Sequence, residues 1–484
     1  MKRRNFLRKS AAAGIATVAG VGIFNSIPAV KAQKDEKSAE ELDEEEIKVN
    51  FHDTIDELYP VGNDYERFDQ ANTAFNVSFW GAMGVNTHPT DIKGVYGAIQ
   101  KNLSGGKEYK QNLDAEDGYG RLDYAYKAGA SATEALSGTI FERIFSGDSG
   151  PNIPRPDGSL MPLGFYKDSF PNGFTVADSK YQFPSLNAAS YAIKKTAKKY
   201  GASLVGIAPY DERWTYKSEV YAPFDATKPG KKPAFFKDKL NMYRPVEFKF
   251  KPKSVIVLAF EMDYEAYQTS PSPLANAASN IGYSQMADVT LRISNFIRTL
   301  GYNTKHAGNS IGPSVPNAIS AGLGELGRNG MLITAEYGPR VRLARVYTDM
   351  EFEYDKPKTF GVKAFCNVCK KCADLCPSKA ITKADLPTDP ENQACNRSNN
   401  VGVGNKFYLD GQKCLKFWAE NEAGCSNCIA SCPYNKIEGW HHDVAKMATK
   451  IPVVNRLTRY LDEAFGYGEV DSKSNMKNFW KKTI

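Results

Sequence analysis

Cysteine is the residue type with the clearest chemical spacing in this chain of 484 residues. All nine cysteines lie between Cys366 and Cys432. Eight of them form two runs that each end in Cys-Pro: Cys366-x2-Cys369-x2-Cys372-x3-Cys376-Pro377, and Cys414-x10-Cys425-x2-Cys428-x3-Cys432-Pro433. Such runs are typical of [4Fe–4S] cluster ligands, whereas zinc ribbons use separate Cys-x2-Cys pairs. The spacing therefore favours two iron–sulfur clusters over a pair of zinc sites.

The two runs are expected to exchange one ligand each, because in ferredoxin runs of this kind the fourth cysteine ligates the other cluster. This crossed pattern predicts cluster 1 on Cys366, Cys369, Cys372 and Cys432, and cluster 2 on Cys376, Cys414, Cys425 and Cys428. Cys395 is left over in the polar loop 391–402, and we interpret it as a free thiol.

Two iron–sulfur clusters transfer electrons, so another group must accept them. The chain lacks an Asp-x-His-x-x-Gly motif, by which some proteins supply an axial histidine to cobalamin. No haem or non-haem iron site is predicted either, since the histidines match no metal-ligand spacing: His52, His88, His306, His441 and His442.

The N-terminus has the features of an export signal. Arg3-Arg4-Asn5-Phe6-Leu7 resembles the twin-arginine signal, and the apolar run 11–27 after it leads to a cleavage-site pattern at Val30-Lys31-Ala32. The alternative is a membrane anchor, but the run contains three glycines and is shorter than the ~20 apolar residues that a spanning helix needs. We expect cleavage near Gln33.

Net charge gives no reason to expect a nucleic-acid partner. The formal charge is +7, but residues 1–32 contribute six cations and no acid, so the remainder carries 7 − 6 = +1.

The rest of the chain is expected to form an α+β protein of several units. A flexible acidic leader (33–50) cannot offset its ordering entropy, and an aromatic, glycine-rich stretch (51–185) is interpreted as a cover over a cavity. Alternating strands and helices predict a core domain over 186–355, followed by the two-cluster module (356–440) and a helical extension (441–484).

Periodicity within the core predicts particular elements. Helices are expected at 188–200 and 284–300, and strands at 203–208, 254–260, 330–334 and 342–348. The segment from Gly322 to Gly327 fits a dinucleotide-binding fingerprint, but no clear strand precedes it. We interpret these glycines as allowing a tight turn or a close backbone approach to a cofactor.

Several segments together resemble the corrinoid-dependent reductive dehalogenases almost from end to end. They are the twin-arginine leader, Ile319 to Gly330 with Ala321-Gly322-Leu323-Gly324-Glu325 and Arg328, Tyr337-Gly338-Pro339-Arg340-Val341-Arg342 leading to Thr348-Asp349, Phe365 to Pro377, and Phe465-Gly466-Tyr467-Gly468. The chain departs from the family after Asp349, where many members continue with Leu-Pro-Leu and this chain has Met350-Glu351-Phe352.

The resemblance implies a nitroreductase-like core that holds a base-off corrinoid, which fits the missing axial-histidine motif. It implies that Co(I), re-formed with electrons from the two clusters, removes halide from a small organohalide in anaerobic respiration. It also implies a peripheral location on the outer face of the cytoplasmic membrane, a small integral membrane protein as anchor, and an upstream electron donor.

Site residues follow from the resemblance as well. It implies catalytic roles for Tyr283 as proton donor, Arg342 and Asn309, since a fixed guanidinium and an amide donor can stabilise a phenolate. The aromatic residues expected at the substrate pocket are Phe75, Phe79, Trp80 and Trp418.

Two other functions share parts of this pattern. An epoxyqueuosine reductase uses the same cofactors on tRNA, but the export signal and near-neutral charge argue against it. A plain exported iron–sulfur electron carrier would use residues 50–350 as a docking scaffold and would contain no cobalt.

Overall fold

The computed structural model describes residues 49–63, 65–74, 118–130, 152–154, 160–162, 179–220, 243–386, 402–421, 423–435, 437 and 472–481. The export signal, Phe75, Phe79, Trp80 and Cys395 lie outside these residues.

The strands are short except at the centre of the core. They are β1 (Asn50–Phe51), β2 (Asn152–Pro154), β3 (Leu160–Pro162), β4 (Leu204–Pro209), β5 (Ser218–Val220), β6 (Tyr243–Pro245), β7 (Ser254–Glu261), β8 (Thr304–Ala307), β9 (Glu325–Leu326), β10 (Leu332–Ile333), β11 (Val341–Thr348) and β12 (Lys358–Thr359).

The helices lie between these strands and in the cysteine-rich part. They are α1 (Arg121–Ala130), α2 (Leu186–Tyr200), α3 (Tyr264–Tyr267), α4 (Pro273–Thr299), α5 (Ser314–Ser320), α6 (Val362–Cys369), α7 (Lys371–Asp374), α8 (Gly411–Glu420), α9 (Asn427–Ala430) and α10 (Ser472–Phe479). Short 3-10 turns are found at Ile55–Glu57, Gln70–Asn72 and Glu212–Trp214.

A four-stranded sheet forms the centre of the core, with strand order β4-β7-β11-β8. Every neighbouring pair is antiparallel, and Arg345 of β11 lies opposite Ala307 of β8 and Val257 of β7. Strand β7 is buried from Ser254 to Phe260, because helices cover both faces of the sheet. An antiparallel sheet with separate helices is the α+β class that the sequence predicted.

The two sheet faces form separate hydrophobic cores. On one face α2 and α4 bury residues such as Ile193, Ile293 and Leu258, and we call this the α4 face. On the other, the α5 face, Ile319 packs with Tyr59 from the N-terminal segment. Successive residues of β11 alternate between the two faces. Arg342 therefore points to the α4 face and Arg345 to the α5 face.

The cysteine-rich module consists of α6, α7, α8 and α9, with cysteines on or directly beside each helix. Helix α9 packs against α7 within the module and against α3 of the core. Within the described residues, no helix has both the length and the apolar character required to span a membrane.

Most predicted core elements are present, with three differences. Helix α4 begins at Pro273 rather than near 284, because Ser272 caps its first turn and small buried alanines line its first half. The strand predicted at 330–334 is reduced to two residues of β10. Strand β8 and helix α5 were not predicted.

Candidate active site and cluster module

Tyr283, Asn309 and Arg342 lie together, although they belong to three different elements. Tyr283 lies on α4, Arg342 is the second residue of β11, and Asn309 lies in the loop after β8. The Asn309 amide donates a hydrogen bond to the Tyr283 hydroxyl at 2.8 Å, and the Arg342 guanidinium lies 4.1 Å from the centroid of the Tyr283 ring. Asn309 is exposed, so this group is open to solvent on one side.

The contacts leave the Tyr283 hydroxyl proton available. Because the phenol oxygen accepts from Asn309, its own O–H can donate to another group. A phenolate formed by that donation would be stabilised by the same amide and by the guanidinium above the ring. The arrangement can therefore donate one proton.

Gly282 allows Arg342 to reach the Tyr283 ring. A Cβ at position 282 would lie 2.7 Å from the Arg342 Cγ, which is closer than van der Waals contact permits. The Arg342 Nε is buried and has no hydrogen-bond partner among the described residues. It is a polar atom that a bound molecule could satisfy.

The fully buried side chain of Arg345 binds the backbone of the loop that carries Asn309. Its guanidinium donates to the Ser310 carbonyl at 2.9 Å and to the carbonyls of Gly308 and Gly312. Among the described residues Arg345 forms no ion pair. A buried cation thus replaces regular secondary structure as the partner of this loop's backbone.

Tyr267 lies between the candidate catalytic group and the cysteine-rich module. Its hydroxyl hydrogen-bonds with the Met262 Sδ and the Ser279 Oγ, each at 2.8 Å. Burial raises the pKa of Tyr267, and the positive charge of Arg342 opposes this shift. Its ring packs in the same apolar cluster as Cys428. The candidate catalytic group is therefore connected to the module through packed side chains.

The cysteines predicted for cluster 1 line one cavity. Cys366, Cys369, Cys372 and Cys432 surround it together with Arg328. Burial, followed by the negative charges of neighbouring thiols including Cys366 and Cys432, raises the pKa of Cys372 well above its usual value. The structure thus places these four cysteines around one space.

The cysteines predicted for cluster 2 lie beside one another in the same way. Burial raises the pKa of Cys428, and the thiols that add to this effect are those of Cys425, Cys414, Cys376 and Cys432. Cys376 thus lies close to Cys414 and Cys425 of the second run, although it belongs to the first run. Its side chain also packs in one apolar cluster with Cys414 and Cys428.

These cysteine groups fit polynuclear iron better than a single metal ion. No group of three or more His, Cys, Asp or Glu in the described residues lies close enough to hold one ion. A cubane cluster places its thiolates on four separate irons, so they lie farther apart than around one zinc. Burial also raises the pKa of Cys366 and Cys414 to about 12, so the thiolates need a positively charged partner.

The remaining predicted positions are only partly described. Trp418 lies on α8, half-buried and one helical turn after Cys414, and its place in the substrate pocket stays a prediction. His306 is buried on β8, and burial lowers its pKa to about 3, so its ring is neutral.

Comparisons with known proteins give one match to the cysteine-rich module and several to the whole chain. The family described as a 4Fe-4S double cluster binding domain matches residues 365–435. The tetrachloroethene reductive dehalogenase of Desulfitobacterium hafniense is 34% identical over 566 aligned positions, covering 99% of this chain and 98% of that protein. The enzyme of the same description from Sulfurospirillum multivorans is 31% identical, covering 100% of this chain and 94% of that protein. The chain belongs to the reductive dehalogenase family.

Members of this family are oxidoreductases that act on carbon–halogen bonds. The fold agrees: a solved catabolic reductive dehalogenase, NpRdhA, has a TM-score of 0.58 at 19% identity, covering 89% of this chain and 50% of that chain. The double-cluster match places both [4Fe–4S] clusters of this reductive dehalogenase in the cysteine-rich module.

Sequence reasoning missed the buried arginines of this reductive dehalogenase. Arg345 and Arg328 are fully buried and bond mainly to backbone carbonyls. No sequence pattern identifies such carbonyls, since every residue has one. For Arg345 the available signal was an arginine between Ala344 and Val346 in a predicted strand, but the same strand also contains Arg342.

Proposed function

We propose that this protein is a corrinoid-dependent enzyme that replaces carbon–halogen by carbon–hydrogen with Tyr283 as proton donor. The balanced change is one organohalide, two electrons and one proton giving the reduced product and a halide ion. The observation that carries the proposal is the convergence of Tyr283, Asn309 and Arg342, in which the phenol oxygen accepts at 2.8 Å and retains its own proton.

The side chains have separate roles in this proposal. Tyr283 donates the proton to carbon, and Asn309 fixes the phenol oxygen and stabilises the anion that follows. Arg342 adds a fixed positive charge in a half-buried position, where charges act more strongly than in water. The same charge favours halide departure.

A base-off corrinoid fits beside this group. The Arg342 Nε is buried without a partner among the described residues, and the Asn309 side is open. The described part of the chain places no histidine in the contacts of Tyr283. When bound beside Arg342 and Tyr283, a corrinoid would supply the low-valent cobalt chemistry for carbon–halogen reduction.

Electrons are proposed to pass from cluster 1 to cluster 2 and then toward Tyr267 and Arg342. Cys428 of cluster 2 packs against the apolar cluster that contains Tyr267, whereas Cys366 and Cys369 of cluster 1 pack in a separate apolar cluster. Cluster 2 is therefore the nearer of the two to the candidate catalytic group.

A small chlorinated alkene is the first substrate to test, because full-length relatives are described as tetrachloroethene reductive dehalogenases. The match over the whole chain also favours this reading over an epoxyqueuosine reductase or a plain electron carrier.

We also propose that the protein is exported by the twin-arginine route and lies peripherally on the outer face of the cytoplasmic membrane. A membrane anchor protein and an upstream electron donor are proposed as its partners. These proposals rest on Arg3-Arg4 and on the family.

The test is halide release by reduced, corrinoid-loaded protein incubated with chlorinated ethenes, alkanes and phenols. We expect release from at least one chlorinated ethene, and cobalt in the purified protein together with iron for two clusters. Iron without cobalt, and no halide from any compound, would favour the electron carrier.

A further inference from the structure

The glycine-rich segment 322–327 fits a dinucleotide fingerprint in sequence but serves another purpose in the structure. It follows α5 and leads into β9, so no helix begins after its glycines. Gly322 has a φ of +67°, and a Cβ there would lie 2.6 Å from the Lys356 carbonyl oxygen. The glycines thus let this segment lie against neighbouring backbone. Its charged residues, Glu325 and Arg328, both reach the cysteine-rich module.

Glu325 holds the helix that carries two cluster 1 cysteines. Its buried carboxylate accepts from the N–H groups of Phe360 at 2.6 Å and Val362 at 3.1 Å, at the start of α6. A negative charge at a helix N-terminus is stabilising. The helix start is therefore fixed relative to the segment that also contains Arg328.

Arg328 holds the cysteine loop itself. Its side chain is 1% exposed, and its guanidinium donates to the Cys366 carbonyl at 2.9 Å and to the carbonyls of Thr382 and Ala384 at 2.7 and 2.8 Å. The guanidinium also lies 4.1 Å from the centroid of the Phe407 ring. It has a fixed position beside the cavity that the cluster 1 cysteines line.

The charge of Arg328 is directed at cluster 1 rather than at a carboxylate. Among the described residues it forms no ion pair, since the nearby Asp385 pairs with Lys370 at 2.7 Å. Burial lowers the pKa of Arg328, and the negative charges of Cys372, Cys366, Asp385 and Cys369 oppose that shift. The nearest negative groups are thus largely the cysteine sulfurs that would carry the cluster.

We infer that Arg328 is a positioning residue for cluster 1 that also raises the reduction potential of this cluster. Reduction adds one negative charge to a group that is already negative, and a fixed buried cation stabilises that charge. Cluster 1 would thereby accept an electron from a weaker reductant. This inference rests on the proposed ligands of cluster 1, which iron content tests separately from potential and from halide release.

The experiment compares Arg328→Gln and Arg328→Lys in protein that contains both clusters, using potentiometric titration followed by electron paramagnetic resonance. In Arg328→Gln, the reduced-to-oxidised ratio of one cluster at the parent's midpoint potential should fall by about tenfold, or about 59 mV for one electron. The second cluster in the same molecule should be unchanged. Arg328→Lys keeps the charge without the planar fork, so its potential should stay close to that of the parent.

A matched control is Arg298→Gln, which removes another arginine that donates to a backbone carbonyl, that of Thr304, away from the cysteines. It should leave both potentials unchanged.

If Arg328→Gln cannot hold cluster 1, the result for Arg328→Lys is used instead: iron content and potential equal to those of the parent support the inference. Unchanged potentials in an iron-replete Arg328→Gln overturn it. If the reduction potential falls equally in Arg328→Lys, or if both variants lose the cluster, Arg328 has only a structural role.

Discussion

Tyr283 lies near the middle of a long helix, where a tyrosine is ordinarily a core residue. Its environment differs because one neighbour, Asn309, donates to its hydroxyl and another, Arg342, covers its ring. Both neighbours are distant in sequence, and the close approach of Arg342 depends on glycine at position 282. The chemistry of the phenol is thus determined by residues that helix periodicity does not identify.

The proton-donor role predicts a large effect from removing one atom. Tyr283→Phe keeps the ring under Arg342 and loses the hydroxyl, so clusters and corrinoid should be retained. Halide release should fall by about 10²- to 10⁴-fold, the usual contribution of a positioned acid. Arg342→Lys should also be slow, because an ammonium lacks the planar group that covers the ring.

The matched control is Tyr302→Phe, which removes a hydroxyl that donates only to the Tyr181 carbonyl near the surface. Its turnover should equal that of the parent. A corrinoid-replete Tyr283→Phe enzyme with turnover within about threefold of the parent would exclude Tyr283 as the acid and point to water or another donor.

The residues of the candidate catalytic group came from the family resemblance, whereas the cluster cysteines came from their spacing. Tyr283, Asn309 and Arg342 were selected by resemblance, and their side chains do lie together. Their roles stay predictions. Arg345 could not be assigned in advance, because its partners are carbonyls of a loop with no pattern of its own.

At the level of elements, apolar runs were sufficient for the long strands and insufficient for the short ones. Strand β7 is continuous in apolar residues from Val255 to Phe260, β11 is mainly apolar despite Arg342 and Arg345, and both were predicted within one position. Strand β8 has the sequence Thr-Lys-His-Ala, which gives no strand signal, yet its pairing with β11 places the next loop beside Arg345. Tertiary pairing overrides local preference here.

The loop after β8 should depend on Arg345 for its conformation. Arg345→Met removes the hydrogen bonds that the guanidinium donates to the Gly308, Ser310 and Gly312 carbonyls, and a hydrogen bond from a charged group contributes about 1.5–3 kcal/mol. Hydrogen–deuterium exchange should become faster in peptides covering 308–313, while β7 stays protected. Halide release should fall with it, because Asn309 is carried by this loop.

Arg292→Met provides the comparison, since Arg292 forms only an exposed pair with Asp288 four residues earlier. It should leave exchange and turnover as in the parent. Exchange of the 308–313 peptides at the parental rate in Arg345→Met would mean that the loop is held by its packing alone.

At the scale of the whole molecule, the important contacts are those between the cysteine-rich module and the core. Spacing alone indicated two clusters, and the matching family covers residues 365–435. Spacing could not show that Cys428 packs against the apolar cluster that contains Tyr267, because these two residues are more than 150 positions apart in sequence. Long-range contacts of this kind would connect the proposed electron path to the candidate site, and no local pattern encodes them.

The crossed ligand pattern makes a prediction that an uncrossed pattern does not. Cys372 and Cys376 are adjacent in one run, yet Cys372 lines the cavity of cluster 1 and Cys376, which does not line it, lies close to Cys414 and Cys425. Cys376→Ala should therefore lose the same cluster as Cys414→Ala, and Cys372→Ala should lose the other one. Each variant should retain about half of the parental iron. Electron paramagnetic resonance of the remaining cluster identifies which one is left.

Cys395→Ala is the control within the same chain, because Cys395 belongs to neither run and should be dispensable for both clusters. If the remaining signal in Cys376→Ala matches that in Cys372→Ala instead, each run would hold its own cluster and the crossing would be wrong. With the crossing correct, loss of either cluster should stop electron delivery to the site, because cluster 1 reaches Tyr267 only through cluster 2 in the proposed path.

Cys372→Ala should then abolish turnover with a protein electron donor. It should retain halide release with a strong reductant that is small enough to reach the corrinoid directly. Cluster 1 would thereby be an electron relay with no part in the chemistry at carbon.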